Sequence, residues 1–189
     1  MKKIPMGDQA RVLPMPVAMI GADVKGKPNF MTAAWITRVY SEPPLIGVAI
    51  NRKHYTWEGI ERNNTFSVNF PGADLVQETD YCGLVSGKDA DKSALFDVFY
   101  GKLETAPMIV QCPLCFECEM VESEFQSSKS LVIGRIIESY SDERFLTDGV
   151  LDPGKANPIV LTGPDRRYWT LGEPIADAYR IGKELIKGK

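Results

Sequence analysis

Three apolar runs in the first third of the chain are cut apart by turns that no helix survives. Val17-Ala-Met-Ile-Gly-Ala22 ends at Asp23-Val-Lys-Gly-Lys-Pro28, and the run from Asn29 to Val39 is parted from Leu45 to Ile50 by Ser41-Glu-Pro-Pro44. Proline has no N–H to donate and pushes the residue before it toward extended backbone, so this spacing predicts three consecutive strands, the first two joined as a hairpin. Later runs repeat the signal. Thr65-Phe-Ser-Val-Asn-Phe70 alternates apolar and polar residues, and Met108 to Val121, Leu131 to Tyr140 and Pro158 to Thr162 are rich in apolar or β-branched residues.

Helical patterns are fewer. Tyr55 to Asn63 predicts a short helix with Thr56 placed to cap it and Glu58 and Glu61 near its positive end. Asp74 to Val85 predicts a second, and Ala176 to Ile186 has apolar residues at helical spacing at the end of the chain. Strands outnumber helices and do not alternate with them one to one. The expected class is therefore mainly β, an antiparallel barrel with peripheral helices and not a doubly wound parallel sheet. No repeat, low-complexity linker or composition shift divides the 189 residues, so one domain over 1–189 is expected.

Charge narrows the function. With 22 basic against 25 acidic residues, a net charge of -3 and no dense basic run, the chain lacks the phosphate-neutralising stripe of a nucleic-acid binder. No segment approaches the ~20 apolar residues of a membrane span, and Met1-Lys-Lys-Ile-Pro-Met-Gly7 has no apolar run behind it long enough for a signal peptide. Four cysteines in a chain of this length fit a reducing compartment or a metal site better than a secreted disulfide framework, and the cytoplasm is the expected location. The single histidine, His54, excludes a His-rich metal centre and is the one candidate for any Ser–His or Cys–His pair. There is no G-x-G-x-x-G after a strand, no phosphate-loop spacing and no G-x-S-x-G elbow.

Two segments carry candidate chemistry. In Asn29-Phe-Met-Thr-Ala-Ala-Trp35, a side-chain amide, a hydroxyl and free strand amides can match the donor and acceptor edge of a flavin ring. Ala33 and Ala34 allow close approach of a flat ligand, and Trp35 is either an apolar wall or a core residue. In Asn51-Arg-Lys-His-Tyr-Thr56, a strand runs into a helix start where N–H groups and the dipole favour an anion, and Arg52 and Lys53 add charge. Together they could hold both ends of flavin mononucleotide (FMN).

Other features have equal ordinary readings. Lys88-Asp-Ala-Asp-Lys92 is a mixed-charge turn whose lysines reach a phosphate or stay solvated, and Arg166-Arg167-Tyr168-Trp169 is a nicotinamide nucleotide grip or a surface strand end. Cys112-Pro-Leu-Cys115-Phe-Glu-Cys118 looks like part of an iron–sulfur ligand run, but on a strand Cys115 would face away from Cys112 and Cys118. Buried cysteines are expected there, with an iron–sulfur protein as the remote alternative.

The order of several landmarks resembles the flavin reductase-like, FMN-binding split-barrel family, and flavoredoxin-type members most. They are Pro14-Met-Pro16, Asn29 to Trp35, Glu42-Pro-Pro44, Asn51-Arg52 with Thr56, Tyr81-Cys-Gly83, Ser86-Gly87 with Asp91-Lys92, Tyr168-Trp169 with Leu171-Gly172, and Gly182-Lys183. The resemblance implies a six-stranded antiparallel split barrel working as a homodimer, with FMN near the subunit interface. It implies that Asn29, Met31, Thr32, Ala33, Ala34 and Trp35 lie along the ring and ribityl chain, that Asn51, Arg52, Lys53 and Thr56 bind phosphate, and that Lys92 lies near the flavin. The implied activity is hydride or electron transfer through FMN, as an NAD(P)H:flavin oxidoreductase or as an electron carrier meeting a redox protein, with no catalytic side chain required. A histidine frequent in the family before the Leu131 strand is replaced by Ser130.

Overall fold

The computed structural model describes residues 1–8, 12–126 and 129–187. Its largest element is an antiparallel sheet of seven strands: β1 (Ala18–Val24), β2 (Lys27–Ala33), β3 (Ile36–Ser41), β4 (Pro44–Asn51), β5 (Thr65–Phe70), β6 (Leu114–Gln126) and β7 (Lys129–Tyr140). Their order across the sheet is β2-β1-β5-β6-β7-β4-β3. The edge strands β2 and β3 are separated in sequence by Ala34 and Trp35 alone, so the sheet curls until its edges meet at that corner. They are not paired with each other, and the barrel stays split between them.

That corner divides one expected strand. The run from Asn29 to Val39 breaks at Ala34-Trp35, where the Trp35 carbonyl accepts from Ala49 N at 2.9 Å, so it enters the sheet as two strands. The β1–β2 hairpin turns on Lys25 and Gly26, both with positive φ, and the Asp23 carboxylate accepts from Gly26 N at 2.7 Å.

Alternation along the strands sorts side chains into two apolar clusters. Ala18, Ile20, Ala22, Met31, Ile46, Val48, Ile50, Phe66 and Val68 fill the barrel with Trp57 and Ile60 of helix α1 (Tyr55–Asn63), whose bounds match those read from the sequence. On the other face Met19, Phe30, Met108 and Ile109 pack with Leu75, Phe96 and Cys82, the last from helix α2 (Val76–Leu84). Gly59 makes the close seating of α1 possible, since a Cβ there would strike the Asp23 carbonyl.

Three further expectations change. Met108 to Val121 is not continuous: Met108–Ile109 is a short strand, a turn follows in which Cys112 N donates to Ile109 O at 3.2 Å, and β6 begins at Leu114. Cys112 therefore leaves the strand alternation and joins Cys115 in the second cluster, while Cys118 lies in the first. The tail forms a 3-10 turn (Ile181–Lys183) and one helical turn (Glu184–Lys187), because none of the described residues covers its apolar side chains, Ile175 being fully exposed, and short helices need packing to persist. A small sheet of Met15–Pro16, β8 (Ile159–Thr162) and β9 (Arg167–Thr170) closes one side. No helix among the described residues is long and apolar enough to cross a membrane.

A buried carboxylate pins the loop before the Met108 strand. Glu117 is fully buried on β6 and accepts from Lys102 N at 3.0 Å, Leu103 N at 2.7 Å and the Tyr140 hydroxyl at 2.7 Å. Replacing it by Leu strands two N–H donors and a hydroxyl. Glu117→Leu is expected to cost roughly 3 kcal/mol or more in urea unfolding, and a loss below ~1 kcal/mol would show that water replaces the carboxylate.

Candidate functional site

Where the barrel splits, a cleft runs along β2. Its first part, about 380 Å³, is walled by Met31, Thr32, Ala33, Ala34 and Trp35 on one side and by Ala49, Ile50, Asn51 and His54 on the other. Met31, Thr32 and His54 also border a second cavity of about 170 Å³, which continues past Tyr55 and Thr56 to the segment from Cys82 to Gly87 and to Lys92. A third, of about 290 Å³, opens beyond it between Lys27, Asn29, Tyr55 and the turn from Gly87 to Lys92. Their volumes fall in the range of small-ligand and cofactor sites.

The apolar end is built by β2 and the corner after it. As an edge strand, β2 turns alternate N–H and C=O groups away from β1, leaving them for a ligand. Trp35 is 61% exposed at the rim, which removes its core reading and leaves the wall. The Thr32 hydroxyl donates to the Thr79 carbonyl and so ties β2 to α2.

The polar end is built by α1. Thr56 does not cap the helix, as the sequence suggested; it sits one residue inside the helix, and its hydroxyl accepts from Asn29 Nδ2 at 2.7 Å in a buried bond. The N-cap is His54, which offers no side-chain cap; Trp57 N donates to the His54 carbonyl at 3.0 Å, and Tyr55 and Thr56 of the first turn border the cleft. The Asn51 side-chain oxygen accepts from Lys53 N at 3.0 Å and the Asn51 carbonyl from His54 N at 3.0 Å, which fixes the approach to the helix. Gly87 brings its turn against Asn29, where any Cβ would collide with the amide.

Lys27, Lys88, Asp89 and Asp91 border the outer cavity at this end, and the buried cation is Lys92. It is 3% exposed, and its Nζ donates to the Val85 carbonyl at 2.8 Å and the Cys82 carbonyl at 3.1 Å. Burial lowers its pKa, against a smaller opposing effect of Cys82. The cleft wall desolvates the His54 ring and lowers its pKa, and the Lys92 charge adds to that. Burial pushes the Cys82 thiol up to about 11 despite Lys92.

Not every sequence candidate lines the cleft. Asn29, Met31, Thr32, Ala33, Ala34, Trp35, Asn51, Thr56 and Lys92 do. Arg52 and Lys53 do not: the Arg52 guanidinium pairs with Glu61 at 2.8 Å and lies over the Trp57 ring at 5.5 Å, outside the walls. Lys88 borders the third cavity, with its ammonium held by Glu58 at 2.9 Å. Arg166 and Arg167 border none of these cavities; beside them Tyr168 donates to Asp80 at 2.9 Å and Trp169 to Thr162 at 2.9 Å. Sequence reasoning gave no site role to Tyr55 or to the Cys82–Gly87 wall, for which the glycines at 83 and 87 were the available signal. Ser130 is buried opposite Ile50 with no hydrogen-bond partner for its hydroxyl among the described residues. No group of three metal-ligating side chains converges among them either.

Comparison with known proteins bears on this cleft. The family model described as "Flavin reductase like domain" matches residues 10–155. Flavoredoxin from Methanosarcina acetivorans is 48% identical, with 98% of this chain and 100% of that one covered at a TM-score of 0.94. Flavoredoxin of Desulfovibrio vulgaris (Miyazaki F) is 29% identical over 96% and 100% of the chains, TM-score 0.90. An FMN reductase (NADH), RutF, from Bradyrhizobium diazoefficiens is 25% identical over 70% of this chain and 78% of its own length.

The lone histidine makes the cleft's electrostatics measurable. A His whose folded pKa is depressed leaves stability intact above its unfolded value of 6.5 and removes it as pH falls below, because the unfolded chain binds the proton first. The His54 ring resonances are expected to titrate with a midpoint below 6.5 in the free protein. A midpoint above 6.5 would contradict the desolvated, cation-flanked position.

Proposed function

The chain belongs to the flavin reductase-like domain family, and on that premise we propose that it is an FMN-binding oxidoreductase, one domain over residues 1–189 acting in the cytoplasm. The observation that carries this reading is the single cleft at the barrel split, apolar along β2 at one end and cationic beside an uncapped helix start at the other. A bound flavin supplies hydride and single-electron chemistry that no side chain here offers.

The residues divide that task. Trp35, Met31, Ala33 and Ala34 form the surface against which a flat ring packs, and the free backbone edge of β2 meets its pyrimidine donors and acceptors. Donors aimed at that edge also stabilise the negative charge of the reduced ring, which raises its potential. Phosphate belongs at the first turn of α1, where helix N–H groups, the dipole and the Lys92 ammonium converge. Arg52 and Lys53, standing outside the walls, add positive potential at longer range.

We favour NAD(P)H as reductant, a reading supported by the likeness to the FMN reductase. The 48% identity with a flavoredoxin favours a second role, electron carriage between protein partners. The iron–sulfur alternative has no geometric support, since Cys118 packs in a different cluster from Cys112 and Cys115. A homodimer completes the proposal: Ile36, Tyr40, Leu45, Phe70, Phe116 and Ile136 line an apolar groove of about 490 Å³ on the β3–β4 side, suited to a second copy.

Rapid mixing of the FMN-loaded protein with NADH or NADPH separates the two roles. Flavin bleaching at a catalytic rate is expected for the oxidoreductase, and no bleaching would leave the carrier. For the phosphate, Lys92→Met is expected to weaken FMN roughly tenfold or more and riboflavin little, whereas Arg52→Ala with Lys53→Ala weakens FMN only a few-fold and loses its effect at high salt. Equal losses for FMN and riboflavin in Lys92→Met would place the phosphate elsewhere.

A further inference from the structure

The break between Ile109 and Leu114 puts two cysteines where the flavin reading has no use for them. Cys112 ends the turn that starts at Ile109, Pro113 follows, and Cys115 is the second residue of β6. Strand alternation would have turned the two apart, but the turn folds Cys112 back so that both thiols lie in one apolar cluster, Cys112 3% and Cys115 2% exposed. The Cys115 thiol donates to the Ile109 carbonyl at 3.3 Å and lies 4.0 Å from the Cys112 carbonyl, so it folds back against the residue that carries the other thiol. The connecting Pro113 is pinned from outside, its carbonyl accepting from the Ser141 hydroxyl at 2.7 Å.

The pair is not sealed in. Both cysteines form the floor of a surface cavity of about 260 Å³, walled by Phe99, Val110 and Tyr140, with Asp142 at its polar side. Neither Cys112 nor Cys115 borders the cleft along β2, although Cys82, which does, belongs to their cluster. All four cysteines are free thiols here.

We propose that Cys112 and Cys115 are a second redox site, a dithiol that is oxidised to an intramolecular disulfide by small uncharged disulfides entering this cavity. One cysteine sulfur attacks the incoming disulfide, whose S–S bond breaks to release one thiol. The neighbouring sulfur then attacks the mixed disulfide, forming the Cys112–Cys115 bond and releasing the second thiol. The dithiol loses two electrons and the incoming disulfide gains them, while the two cysteine protons end on the two released thiols. The aromatic and aliphatic walls select a small apolar reagent over a bulky, highly charged one such as glutathione disulfide, and Asp142 at the rim is paired with Arg144 at 3.8 Å. Burial and the adjoining thiol push the Cys112 pKa up, so the resting pair is protonated and the first attack, which needs a thiolate, is the slow step.

The test uses the full chain, reduced and freed of reductant, with and without FMN, and treated under native conditions with 4,4'-dithiodipyridine, a neutral aromatic disulfide. The expected result is two thiopyridones released for each disulfide formed, a mass lower by two hydrogens with no pyridyl group retained, and a peptide map joining Cys112 to Cys115. Cys112→Ser and Cys115→Ser should each abolish that linkage and leave the remaining thiol carrying a pyridylthio label or unreacted. Glutathione disulfide should react at least tenfold more slowly with the wild-type chain. A wild-type protein that keeps a pyridylthio label on either residue, links other cysteines, or stays reduced while the unfolded chain reacts fully would overturn the proposal. Because the wild-type peptide map decides the question, an unstable variant does not affect it.

Discussion

One buried hydrogen bond, from the Asn29 amide to the Thr56 hydroxyl, joins the edge strand β2 to the first turn of α1. Both side chains are shielded from water, so breaking the bond leaves polar groups unpaired and costs more than an exposed bond would. The bond fixes the helix start relative to the strand, and with it the angle between the two walls of the cleft. Gly87 approaches the same amide from the other side, so the turn leading to Lys92 is set by the same contact. Strand edge, helix start and ammonium thus share one anchor.

The anchor also explains how charge is arranged. The Lys92 ammonium donates to the carbonyls of Val85 and Cys82, near the end of α2, which holds a cation at the cleft wall with no ion-paired carboxylate among the described residues. The more obvious cations lack that setting. Arg52 is satisfied by Glu61, and Lys88 and Lys25 share Glu58, so their fields at the cleft are partly cancelled. A buried cation without a counter-charge acts on an anion more strongly than several paired ones at the surface.

Much of this was legible in the sequence wherever local patterning decides the outcome. Alternation and proline turns located the strands, and α1 was found from Tyr55 to Asn63 by the residues at its positive end, Thr56, Glu58 and Glu61, although the cap itself is His54. Met31 to Trp35 was legible as a wall because it is contiguous. The rest depends on distant parts of the chain. The break at Ala34-Trp35 comes from the sheet having to curl, Thr56 gave up capping for a partner 27 residues away, and Cys112 changed faces in a turn that an apolar run concealed. The Cys82–Gly87 wall exists only because α2 packs on β2, a contact no local pattern announces.

The central claim is that the cleft at the barrel split holds FMN with its phosphate at the start of α1. A crystal structure of the protein with FMN tests it most directly. The account predicts the isoalloxazine between Trp35 and the Ala49–Asn51 wall, with phosphate oxygens within hydrogen-bond distance of the α1 first-turn N–H groups and close to Lys92. FMN bound outside this cleft, or with its phosphate on Arg52 and away from the helix start, would contradict it.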